Sequence, residues 1–421
     1  MDTNKIFQYA RGGVLSSACF GLLLSIAQAE PLSLEQAMQR AEAANFGLDA
    51  LREQQVGAYE RIAMASALPD PKLQYTYFGE SVETRTGPQE AIYSMSQTVP
   101  WLAKLGTRKA LATSEAQAWS FVHQQGVLTL RRDVATVYAE AAYQNQAVQS
   151  TEANLRLIDD MRAIVEERVR GGASLNALLR LEVELERTRD QLDLTQQNRY
   201  TQRTQLAALL SIEESALGEL AEMPATTDTL PSDRSLLARL EVNNPELHAL
   251  KQHASSATCR ADLSRLDRYP DFTFGLNYIQ VDEGSSMASD AGNDPWNVSV
   301  AVSLPIWEGR NRSAIRSANA ARRASEQQYH NRVLQLKAEL STLLSRRADN
   351  RKRMQRYEEQ LIPLAEQALE NSRSAYESDQ LSVLELIDSE RALLELNLNY
   401  ARAVANVAQA DASINALTGK M

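Results

Sequence analysis

His248, His253 and Cys259 are the nearest grouping of metal-binding side chains in the chain, and they lie on one helical segment. At 100° per residue His253 falls about 140° around from His248, and Cys259 sits about 16 Å further along the axis. A metal ion needs ligands that converge on one point at bonding distance. This spacing cannot supply that, so the three residues read as structural. His123 and His330 are isolated, and no paired-histidine motif, P-loop or nucleophile elbow occurs. No catalytic residue, metal site or cofactor is therefore expected, and an enzyme has no support. The other chemical cluster is basic: Arg346, Arg347, Arg351, Lys352, Arg353 and Arg356. Within a chain of formal charge −10 this run reads as a solvated or salt-bridged helix face, with contact to an acidic surface as the alternative. A nucleic-acid partner is not expected.

The 421 residues are 44 % hydrophobic but only 6 % aromatic, with a mean hydropathy of −0.37. The only long apolar stretch is Val14 to Ala27, which excludes a protein of many spanning helices. Lys5 and Arg11 precede that stretch, and Ala27-Gln28-Ala29 ends it. A basic start, a short apolar core and small residues at the end predict a secretory signal peptide over 1–29. Ser16 stands where a lipid-attachment box before Cys19 needs a large aliphatic residue. The mature chain would keep Cys259 alone, so no intrachain disulfide is possible.

Beyond residue 30 the chain repeats itself. Asn45 to Leu51 recurs as Asn244 to Leu250, and Leu68-Pro69-Asp70 recurs as Tyr269-Pro270-Asp271. Gln97 to Trp101 recurs as Val302 to Ile306, and Ser174 to Glu182 recurs as Ser382 to Glu390. The four matches keep one order and a period of about 200 residues. They divide the chain into a first repeat (30–222), a Pro/Thr/Ser/Asp-containing linker (223–234) and a second repeat (235–421). Each repeat opens with a helical segment of about 35 residues and continues into two short alternating segments, 72–79 and 91–99 or 272–279 and 296–304. Leu73, Tyr75 and Tyr77 oppose Lys72, Gln74 and Thr76; Val298, Val300 and Val302 oppose Asn297, Ser299 and Ala301. That period of two, close to the 9–11 residues of a membrane-spanning strand, puts apolar side chains on one face and small polar ones on the other. A long helix follows, 107–170 or 310–376, spanning roughly 96 or 100 Å. Shorter return helices cover 175–212 and 381–417.

Four strands cannot close a barrel, and an open edge in lipid strands backbone hydrogen-bonding groups at several kcal/mol each. The chain must therefore pool strands with copies of itself, two copies giving 8 and three giving 12. The same symmetry would pool the helices into a coaxial tube.

From about Pro31 to Gly419 the sequence resembles the TolC family of outer membrane efflux proteins, on the two-fold repeat, the strand pair in each half, and tip segments such as Tyr376 to Glu390. The resemblance implies a mainly α fold with a transmembrane β-barrel portion. Three protomers would form a 12-stranded barrel in outer membrane lipid and continue as an α-helical tunnel across the periplasm. It also implies a periplasmic adaptor and an inner membrane pump as partners. Pro69-Asp70-Pro71, Gln97 to Trp101 and Lys104-Leu105-Gly106 are most similar to the branch that serves heavy-metal exporters. Drug efflux and type I secretion are the alternatives within the fold, and a periplasmic adaptor or coiled-coil scaffold is the rival outside it. The family's acidic pore-ring positions fall on Glu385 and Asp388, although acids early in a helix also favour its dipole. Tyr376 matches a tyrosine that helps hold the tip closed. The family's arginine nearby is Leu381 here, and its acidic partner is Leu178. The latch must therefore differ, with Arg180 as a substitute partner for Asp388. Ser174 and Ser382 complete the residues expected at tip closure or adaptor contact.

Overall fold

The computed structural model describes residues 31–420 except 173, 222, 225, 227–228, 283–288, 290–291 and 379. The expected signal peptide, 1–29, lies outside the described residues, as does part of the linker. Each repeat opens on two helices where the sequence predicts one. In the first these are α1 (Leu34–Ala44) and α2 (Phe46–Ser66); in the second, α5 (Asp233–Asn243) and α6 (Pro245–Leu266). The break has a local cause. Asn45 leaves helical geometry and its side chain accepts from the Leu48 N–H at 3.1 Å, capping α2, and Asn244 does the same for Leu247 at 3.0 Å. Each cap also reaches a return helix: the amide of Asn45 donates to the Leu209 carbonyl, that of Asn244 to the Leu417 carbonyl.

Strands β1 (Lys72–Thr84), β2 (Gly87–Val99), β3 (Asp271–Val281) and β4 (Trp296–Ser303) form one antiparallel sheet in that order. The first pair runs on to a turn at residues 84–87, several residues beyond the 72–79 expected. Register places Tyr75 opposite Tyr93 and Tyr93 opposite Tyr278, with ring centroids 5.1 and 6.4 Å apart. Their face also carries Leu73, Met95, Leu276, Val298 and Val300, all exposed. β1 and β4 are both edges.

Helix α3 (Leu102–Arg170) is unbroken for 69 residues, roughly 100 Å. It packs against α2, α6, α4 (Leu175–Leu209) and α9 (Val383–Leu417). Its counterpart in the second repeat is not continuous. The predicted helix over 310–376 divides into α7 (Glu308–Arg356), a π-turn at Tyr357–Leu361 and α8 (Ile362–Glu377). The cause is Pro363, which has no N–H to donate and whose ring crowds the preceding turn.

Buried apolar residues gather at two levels. At mid-height, Ala37, Ala41, Val134, Tyr138, Leu206 and Leu210 pack in the first repeat, and Leu236, Leu240, Leu336, Leu340 and Ile414 in the second. Arg131 pairs with Glu42 in the first group and Lys337 with Glu241 in the second. The third cluster lies at the far end of the helices and joins both hairpins. No helix among the described residues is long and apolar enough to cross a membrane.

Candidate functional site at the helical tip and along the central helix

The tip is two helical hairpins held together by apolar side chains. Ile158, Val165, Leu181 and Leu185 from α3 and α4 meet Leu369, Tyr376, Leu386 and Ile387 from α8 and α9. Burying such residues contributes about 1.5–3 kcal/mol each, so this packing favours the association of the hairpins. Leu178 and Leu381, the positions at which the resemblance implied an acid and an arginine, are partly buried in this cluster.

Each expected site residue has a defined place. Ser174 caps α4, its hydroxyl accepting from the Asn176 N–H at 3.3 Å. Ser382 caps α9 in a reciprocal box: its hydroxyl accepts from the Glu385 N–H, and its own N–H donates to the Glu385 carboxylate at 3.0 Å. These bonds from Ser382 hold the Glu385 carboxyl below the usual range. Asp388, one turn on, projects into solvent and lies 3.7 Å from Arg391. Arg391 reaches across to pair with Glu184 on α4, joining the two hairpins. Arg180 is exposed on α4, and among the described residues no ion pair joins it to Asp388.

The tyrosine does have an arginine, from a position sequence matching did not indicate. Arg168, on the last turn of α3, lies 4.3 Å above the Tyr376 ring and donates to the Tyr376 carbonyl at 3.3 Å. Arg168 precedes Tyr376 by half the chain, so only the fold brings them together. A cleft of about 340 Å³ beside this contact is lined by Val165, Arg168, Tyr376, Gln380, Leu381 and Ser382.

Above the tip, α9 carries polar side chains at successive levels, each answered by a neighbouring helix. Glu390 meets Arg373 on α8 at 3.1 Å. Arg402 donates twice to Glu140 on α3 and lies 3.6 Å over the Tyr143 ring. Asn406 meets Asn350 at 3.0 Å, and buried Asp411 pairs with buried Arg347. Burial opposes ionisation of Glu140, but hydrogen bonds from Arg402, Gln144 and Gln409 outweigh it and set its carboxyl below the usual range. Burial dominates for Glu390 and pushes its carboxyl up. The basic run is thus mixed: Arg347 is an internal ion-pair partner, while Arg353 pairs with Asp349 at the surface.

His248 stacks on Phe121 at 5.0 Å and bonds the Val242 carbonyl at 2.7 Å. Cys259 is half-buried, and burial raises its thiol above the ordinary value. No cluster of three or more His, Cys, Asp or Glu able to hold a metal occurs among the described residues.

Residues 236–420 match the family model described as outer membrane efflux protein. The cobalt-zinc-cadmium resistance protein CzcC of Cupriavidus metallidurans is 22 % identical over 401 residues, covering 93 % of this chain and 91 % of its own. The cation efflux system protein CusC of Escherichia coli strain K12 is 24 % identical over 307 residues, covering 70 % of this chain and 64 % of its own. Among solved structures, the outer membrane protein VceC of Vibrio cholerae superposes with a TM-score of 0.76 at 20 % identity, over 92 % of this chain and 96 % of its own. The fold is therefore shared with this outer membrane protein, with four strands and long paired helices among the described residues.

Proposed function

We propose that this chain, an outer membrane efflux protein by the sequence of residues 236–420 and by its fold, is the exit duct of a tripartite system for heavy-metal cations. It receives cargo from an inner membrane pump through a periplasmic adaptor and conducts it across the periplasm and the outer membrane. It works as a homotrimer, in which residues 30–222 and 235–421 act as pseudo-equivalent halves. Three sheets close a 12-stranded barrel in lipid, and the helices continue as the tunnel. It transforms nothing, so it is a conduit and not an enzyme. The observation that carries the reading is the sheet: four strands, two open edges, and an apolar face exposed beside a polar one. A scaffold without a channel has no use for that face.

Asp388 and Glu385 of three copies form an anionic belt at the tunnel mouth, which favours cations. Arg391–Glu184 and Arg168–Tyr376 hold the hairpins closed, and the cleft between Tyr376 and Ser382 takes part in adaptor contact, with Ser174 and Arg180 on the facing hairpin. The cation cargo follows from the relatives CzcC and CusC. Deleting the gene is expected to sensitise the cell to cobalt, zinc, cadmium, copper or silver salts while a panel of organic drugs is unaffected. Sensitivity to drugs alone moves the cargo to the drug-efflux alternative. In planar bilayers the purified protein is expected to conduct, with cation selectivity reduced by Asp388→Ala. Unchanged conductance and gating in Asp388→Ala and Arg180→Ala remove the belt and any part for Arg180 in closure.

A further inference from the structure

The joint between sheet and helices inside one chain has an unfilled twin. Lys104 is almost fully buried, and its ammonium lies 2.9 Å from Asp271 Oδ1 and 3.0 Å from the Tyr269 carbonyl. The Trp101 N–H donates to the same Asp271 oxygen at 3.0 Å, and the Trp101 ring stacks on Tyr269 at 5.2 Å and 15°. Trp101 is the N-cap of α3, and Lys104 is the third residue of that helix. The N-cap of α7 is also a tryptophan, Trp307, and the third residue of α7 is also a base, Arg310. From 104 to 310 is 206 positions, the same spacing that relates Arg131 to Lys337 in their matching ion pairs. Two independent alignments thus make Arg310 the counterpart of Lys104.

The first-repeat counterpart of Tyr269-Pro270-Asp271 is Leu68-Pro69-Asp70, just before β1. Leu68, Asp70 and Arg310 are exposed, and Trp307 is 69 % exposed. Neither Asp70 nor Arg310 has an ion pair among the described residues. They cannot meet within one chain, because β1 and β4 stand three strand spacings apart, about 14 Å. We propose that a second copy of this chain supplies the missing half: Asp70 of one protomer receives Arg310 and the Trp307 backbone of the next, and Leu68 receives the Trp307 ring. The proposal rests on the trimer reading and adds the residues that join the subunits.

Strand register agrees independently. β2 pairs with β3 so that Thr98 faces Thr273 and Met95 faces Leu276. Pro100 recurs as Pro305, a shift of 205, and Asp271 recurs as Asp70, a shift of 201. Carrying the pairing over sets Ser303 against Lys72, Val302 against Leu73, Val300 against Tyr75 and Val298 against Tyr77. Every apolar residue then falls on one face, whereas a one-residue slip would turn the whole set inward. The charges are opposite, the faces match, and the new joint continues a joint already built.

The test uses the full-length protein in detergent on a Cys259→Ser background. Arg310→Cys combined with Asp70→Cys is expected to give a covalent trimer with a short bis-maleimide. Arg310→Cys combined with Gln74→Cys, about 13 Å further along β1, is expected to give little. Asp70→Arg or Arg310→Asp alone should reduce the heat-resistant trimer about fivefold, and the double exchange should restore it. Trimers that neither cross-link nor respond to the exchange overturn the joint and leave the trimer reading standing. A monomeric mass in detergent, with native helix content, overturns both.

Discussion

Glu390 is the residue whose surroundings most clearly oppose its charge. Its side chain is buried, one carboxylate oxygen meets Arg373 and the other has no partner. Burial raises its carboxyl above the unfolded value, and Arg373 only partly offsets this. The folded state therefore holds the proton more tightly than the unfolded state. The resulting stabilisation is complete below the unfolded pKa and is lost as pH rises through the folded one. Glu390→Gln keeps the shape without the charge. It is expected to raise the melting temperature at pH 7.5 by roughly 1–3 °C and to leave it unchanged at pH 4. Melting curves across that pH range check this, and a loss at pH 7.5 alone would show that the carboxylate is wanted as an anion. This residue also marks how far the site was legible in the sequence. Glu385 and Asp388 could be put forward by matching motifs, because they lie close to Tyr376 in the chain. Arg168 over Tyr376, Arg391 with Glu184 and Lys104 under Asp271 join segments far apart in sequence, and no local spacing announces them.

At the scale of elements, the strands and long helices were legible because each carries its own period. The breaks were less so. Asn45 and Asn244 interrupt their helices through capping bonds, a signal present in the repeated Asn-x-x-Leu but outweighed by the continuous apolar pattern. The π-turn at Tyr357–Leu361 was signalled only by Pro363. Its consequence is a mechanical difference between the hairpins. At the equivalent level, Thr151 to Leu155, α3 remains regular and buried Thr151 bonds back to the Ala147 carbonyl. Widened turns have poorer hydrogen bonds and bend more readily. The α8 half of the tip is therefore expected to pivot at residues 357–361 while α3 stays stiff. Hydrogen exchange checks this: amides at 357–362 should exchange about tenfold faster than those at 151–156. Pro363→Ala, which restores a donor, should narrow the gap. Equal protection in the wild type would leave the π-turn without a mechanical role.

For the whole molecule, low hydropathy and membrane residence are compatible if, as proposed, only the four-stranded sheet meets lipid. The sheet carries an exposed apolar face, and its other face, with Asn277 bonded to Asn297 and Thr98 to Thr273, suits a wet lumen. The rest of the described chain is mainly helix, held together by buried ion pairs and alanine-rich contacts. The two faces of a single strand therefore make unlike demands, and β4 allows a direct comparison. Val300 and Ala301 are neighbours, both exposed in one protomer, on opposite faces. In the proposed barrel Val300→Arg would place a cation against hydrocarbon at a cost of about 2–4 kcal/mol near the bilayer midplane. Ala301→Arg places the same cation in the lumen, where water solvates it. The yield of heat-resistant trimer in outer membrane fractions is expected to collapse for the first variant and stay within about twofold of wild type for the second. The second should also lower cation conductance. A soluble sandwich would reverse or erase that asymmetry, since its apolar face would be a protein core and its polar face bulk solvent. Equal tolerance of both arginines would thus count against lipid as the medium outside the sheet.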